Sequence, residues 1–203
     1  MIRTTALVAA ALGLCSMTVT AGVDVAPGAQ QTKAAVDQQA KATHHPAVAE
    51  FLKRCDEYVA LHKKIDAGLP KLPDKATPEQ IDQGQQALSK GIASARAAAK
   101  PGDVFVPEMA DHLRQALGEV FRRPEGKQLR SSILDENPVG AAVRVNGPYP
   151  DGIPLSTMPP QLLAALPKLP EELEYRFIGE RLILLDHHAH VIVDYVDRAL
   201  PRA

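Results

Sequence analysis

The chain has 203 residues, with 23 Lys+Arg against 24 Asp+Glu and a formal charge of −1. A charge this balanced argues against nucleic acid or an anionic membrane surface as the main partner, since both are bound through concentrated positive charge. Tryptophan is absent, and four Phe and four Tyr are few for a carbohydrate site built on exposed aromatic platforms.

Residues 1–21 read as an export signal. Arg3 supplies the positive start, residues 6–14 the apolar stretch, and Val19-Thr20-Ala21 the small residues before a cut ahead of Gly22. The apolar run is shorter than the about 20 residues that a bilayer span requires. The mature chain is therefore expected in the periplasm or secreted, with no transmembrane segment. Leu14 is bulky just before Cys15, which argues against lipidation there. Losing Arg3 and Cys15 shifts the formal charge from −1 to −2 and leaves Cys55 as the single cysteine, read as a buried, inert thiol.

Residues 22–43 are rich in Ala, Gln, Lys and Asp without apolar periodicity, which predicts a flexible linker. Residues 44–203 form one domain, helical over 44–136 and Pro-rich with β-hairpins over 137–203. Pro46 opens the first helix, whose stripe runs through Val48, Phe51, Cys55, Tyr58, Val59, His62 and Ile65 until Pro70 and Pro73 stop it. Thr77-Pro-Glu-Gln80 has the form of a capping box and starts a second helix. Ile81, Gly84, Leu88, Gly91 and Ile92 make its inner face. The two glycines imply close approach to the first helix. A third helix is predicted over 107–122. A fourth runs from Pro124 to about Asp135, before Asn137-Pro138.

The prolines of 138–170 exclude a regular helix or a central strand, leaving 141–146 as a candidate strand and 160–166 as a short helix. The Leu162–Leu166 run reads as a clip packed on the sheet. Gly179-Glu180 predicts a two-residue hairpin that pairs Ile178 with Arg181, Phe177 with Leu182, Arg176 with Ile183 and Tyr175 with Leu184. Tyr175, Phe177, Leu182 and Leu184 then share the face that meets the helices, with Arg176 and Arg181 opposite. Residues 187–190 turn into a third strand over 191–196. The fold class is α+β: antiparallel N-terminal helices packed on a small antiparallel sheet of three or four strands.

Three of the seven histidines fall in Asp186-His187-His188-Ala189-His190. Imidazole suits divalent transition metals, and Asp186, His187 and His190 are the candidate ligands. In a tight turn, His187 and His190 lie opposite each other with Cβ atoms about 4.5–5.5 Å apart. If the strand continues instead, Asp186, His188 and His190 share a face. A zinc site normally has three or four protein ligands. No second Cys/His cluster at ligand spacing accompanies the turn, and His44-His45 join only if the fold brings them there.

Cys55 and His62 are seven residues apart on one helix, about 10 Å. That is too far for proton transfer, so both read as core. No Gly-rich phosphate loop, G-x-S-x-G elbow, S-x-x-K or H-E-x-x-H motif occurs, so no catalytic residue and no cofactor is assigned.

The run Arg130-Ser-Ser-Ile-Leu-Asp-Glu-Asn-Pro138, with residues 169–186 and Ile192-Val-Asp-Tyr195, resembles a family of uncharacterised exported proteins of Gram-negative bacteria. The resemblance covers about the C-terminal half and implies a location, periplasmic or secreted, without an activity or site residues. Two functional readings follow. One is a non-enzymatic domain that binds a partner, or acts structurally, in the cell envelope. The other is a metal-binding protein or metal-dependent hydrolase using the 186–190 turn.

Overall fold

A computed structural model describes residues 45–136, 140–150, 152–154 and 157–201. The expected signal and linker, His44, and the Asn137-Pro138 stop lie outside the described residues. Among those described, no helix is long and apolar enough to cross a membrane.

Helix α1 spans Pro46–Asp66, with His45 at its N-cap accepting from the Ala47 amide through Nδ1 at 3.3 Å. Val48, Phe51, Cys55, Tyr58, Val59 and His62 are its buried stripe, as the 3.6-residue spacing predicts. Helix α2, Pro78–Ala95, opens with the expected capping box: Gln80 N donates to Thr77 Oγ1, and Thr77 N donates to Gln80 Oε1. Its close approach to α1 occurs at Gly91, where a Cβ would lie 2.6 Å from Ile65 Cγ2. Only Leu88 and Ile92 of α2 are buried. Ile81, expected inward, is 52% exposed.

Helix α3 spans Pro107–Phe121 and buries Met109, Ala110, Leu113, Leu117 and Val120. Helix α4 follows at Gly126–Glu136, two residues later than Pro124. The chain turns so tightly there that a Cβ on residue 126 would meet Phe121 O at 1.9 Å. A short turn of helix, α5, covers Pro160–Leu163, and Leu162, Ala165 and Leu166 are buried in the main core.

Strands β1 (Leu173–Ile178), β2 (Arg181–Asp186) and β3 (Val191–Val196) form an antiparallel sheet in that order. The β1–β2 register is the predicted one from Tyr175↔Leu184 to Ile178↔Arg181, and Gly179 takes φ 56° in the turn. Helices N-terminal, sheet C-terminal: the fold is α+β. Leu173, Tyr175, Phe177, Leu182 and Leu184 join the helices in the main core. Each large apolar side chain so buried contributes about 1.5–3 kcal/mol relative to exposure. The opposite face is also covered. Ile178, Ile183, Leu185 and Ile192 pack under Tyr149 and Ile153 of the Pro-rich segment in a second, smaller core.

The candidate strand 141–146 does not form. Only Pro148 makes a bridge, to Val191 at the edge of β3. Proline has no amide to extend a ladder, and Asn146 turns the chain just before it at φ 59°. The Asn146 amide donates to Ile192 O, and its side chain accepts from Arg96 at 2.8 Å.

Strand β3 carries a bulge. Leu184 pairs with Asp194 but Leu185 with Ile192, so Val193 is extra. The alternation resumes with Asp194 on the helical side. There its buried carboxylate accepts from the amides of Gly102, Val104, Phe105 and Tyr195 at 2.8–3.0 Å. The α2–α3 loop is thereby fastened to the sheet.

Candidate functional site

Tyr58 and His62 are one helical turn apart on α1 and face the sheet, where β2 ends in Asp186. All three are buried, Asp186 completely. Asp186 Oδ2 accepts from the Tyr58 hydroxyl at 2.7 Å and lies 2.6 Å from His62 Nδ1. Its other oxygen, Oδ1, accepts from the amides of His188 and Ala189 at 3.0 and 2.9 Å. The carboxylate therefore closes the β2–β3 turn with one oxygen and anchors α1 with the other. A carboxylate only accepts, so the Nδ1 of His62 holds a proton and donates it to Asp186. Burial first, then the adjacent Asp186, pushes the Tyr58 phenol far above its ordinary value, and it remains a donor.

His62 lines a groove of about 500 Å³ with His188. The groove runs between the end of α1, the following loop and α2. Leu69, Leu72, Ile81 and Leu88 give it apolar walls, and Asp66, Lys71 and Gln85 add polar groups. Leu72 and Ile81 remain 50% and 52% exposed. The His62 and His188 rings are 5.8 Å apart, and Gln85 Nε2 donates to His188 O at 3.1 Å, tying α2 to the turn. Beside the groove, Lys63 pairs with Glu172 at 2.8 Å and holds that carboxyl below its usual range.

The structure distributes the turn residues differently from the expected ligand set. His187 Nε2 bonds Glu171 O at 2.9 Å, and His190 closes the turn at φ 51°. Among the described residues, the histidines and carboxylates whose ligand atoms lie within 4.8 Å of one another are His62, Asp186 and His188. Asp186, His187 and His190 are not gathered into one such set. Sequence spacing missed His62 because its partner lies 124 residues away. A signal was present, however. Two polar side chains four apart on an otherwise apolar stripe demand a buried partner.

Cys55 is buried, and its thiol is pushed up by burial first and then by Asp56 and Asp194, as fits an inert core thiol. His45 stacks on His112 at 4.6 Å, away from this network, and His112 Nε2 is buried without a partner among the described residues. Ser131 and Ser132 lie exposed on α4. Comparison with protein-family models, curated proteins and solved structures finds no match to the chain.

Proposed function

We propose that the chain is an exported, non-enzymatic binding protein of the cell envelope, whose groove between α1 and α2 takes a small molecule with an apolar body and a polar head. The observation that carries this reading is the pairing of exposed Leu72 and Ile81 with the Asp186-anchored His62 in one groove. Its volume, about 500 Å³, suits a small ligand. A partner helix would want a longer apolar face. The groove residues include no hydroxyl or thiol beside His62, so a Ser–His or Cys–His pair is not assembled among them. Export is supported by the reading of residues 1–21.

The test is titration of the full chain with the apolar fluorophore N-phenyl-1-naphthylamine, in the wild type and in Gly84→Phe. A Cβ at position 84 meets Leu72 at 3.6 Å, an ordinary contact, so the new ring enters the groove without breaking α2. Saturable one-site binding, weakened at least about tenfold in the variant, is expected. Unsaturable binding, or equal affinity in both proteins, overturns the reading.

A further inference from the structure

We propose that the inner end of the groove is a binding site for a divalent transition metal of the zinc class, held by His62 Nε2, His188 and Asp66. The strongest clue is the way His62 is held. Metal-bound histidines usually donate their second ring nitrogen to a carboxylate, which fixes the tautomer and aims the lone pair. His62 Nδ1 does this to Asp186 at 2.6 Å, leaving Nε2 for the groove.

Asp186 belongs to the outer shell. Its two oxygens already accept four hydrogen bonds, from Tyr58, His62, His188 and Ala189. A metal on either oxygen would have to displace buried donors. Asp186 thus orients a ligand and fixes the turn that presents His188, while the ligands themselves face the groove.

His188 supplies the second imidazole. The compact His62–Asp186–His188 set, within 4.8 Å, brings its ring near His62. Two nitrogens on a tetrahedral zinc lie about 3.3 Å apart, and the exposed His188 ring reaches that spacing by side-chain rotation. Its backbone is held by Asp186 Oδ1 and Gln85. Asp66 is the third ligand. It follows His62 by four residues on α1, so the two Cβ atoms are about 5–6 Å apart on one helix face. It lines the same groove, exposed, with no side-chain partner among the described residues. Two imidazoles and one carboxylate leave a fourth position open for water or a ligand head.

The full chain, purified without a histidine tag and treated with chelator, is titrated with ZnCl₂ by calorimetry. His188→Ala and Asp66→Ala are the variants, since both side chains are exposed and their loss leaves the core intact. About one equivalent should bind, with affinity falling at least about tenfold in each variant. Co²⁺ should give tetrahedral absorption bands in the wild type alone. His187→Ala and His190→Ala should bind as the wild type does. No stoichiometric binding, unchanged affinity in either groove variant, or loss confined to the His187 and His190 variants overturns the proposal. Zinc titration of Gly84→Phe keeps this test separate from the fluorophore test, because that ring fills the apolar wall and spares all three ligands.

Discussion

His62 Nδ1 lies 2.6 Å from Asp186 Oδ2, joining the last turn but one of α1 to the end of β2 across 124 residues of chain. Both side chains are buried, and Tyr58 donates to the same oxygen at 2.7 Å. One carboxylate thus sets the docking of the first helix on the sheet and the orientation of the groove histidine.

Truncating Asp186 should be among the most destabilising single changes. Asp186→Ala strands two backbone amides, a phenol and an imidazole, and should cost about 3–5 kcal/mol by urea unfolding. Tyr58→Phe removes one bond to a charged acceptor and should cost about 1.5–3 kcal/mol. Equal, small losses in both would show that solvent replaces the network freely.

Stability should fall in mild acid through His112. Burial first, and then the facing His45, lowers its pKa from the ordinary 6.5, with Glu119 opposing. The unfolded chain binds the proton more readily, so the contribution is fully present above about pH 6.5 and declines as pH falls from there towards the folded-state value. Urea midpoints at pH 7.5 and 5.5 should therefore differ more in the wild type than in His112→Leu. Identical pH dependence would remove His112 as the cause.

Two glycine substitutions should separate by what their new methyl meets. In Gly126→Ala it meets backbone, Phe121 O at 1.9 Å, and the α3–α4 corner must open. In Gly91→Ala it meets the Ile65 side chain at 2.6 Å, and a gain of about 1 kcal/mol in helix propensity partly offsets the clash. Melting temperatures should rank wild type above Gly91→Ala and Gly91→Ala above Gly126→Ala.

Asp194→Asn exchanges one acceptor oxygen for a donor against the amides of Val104 and Phe105. The expected loss is about 2–3 kcal/mol, with hydrogen exchange accelerating first at residues 102–105. Protection unchanged there would mean that packing of Phe105 on Phe51, 5.1 Å between centroids, holds the loop alone.

Much of the fold was legible because it rests on local rules. The Thr77–Gln80 box, the Gly179 hairpin and its register follow from spacing and turn chemistry. Expectation failed where a partner came from afar. The strand over 141–146 had the right side chains, but Asn146 turns towards Arg96 and Pro148 cannot extend the ladder. Ile81 fits the inner stripe of α2, yet the α1–α2 loop leaves it on the rim of a groove. Turn histidines drew attention by their density, while His62 was hidden on a stripe that looked like core. Its role depends on where the end of β2 lands, which helical periodicity does not encode.

The extra Val193 in β3 acts like a frameshift in the sheet. Up to Ile192 the alternation runs in one phase, with Ile192 under the Pro-rich cover. After Val193 it runs in the other, sending Asp194 towards the α2–α3 loop and Tyr195 to the outer face. Paired without the bulge, the same residues would set Val193 opposite Leu184, turn Asp194 into the oily outer layer and turn Tyr195 towards the amides of 102–105. The 186–190 turn, set one step earlier by Asp186, would be left in register to carry whatever the groove binds.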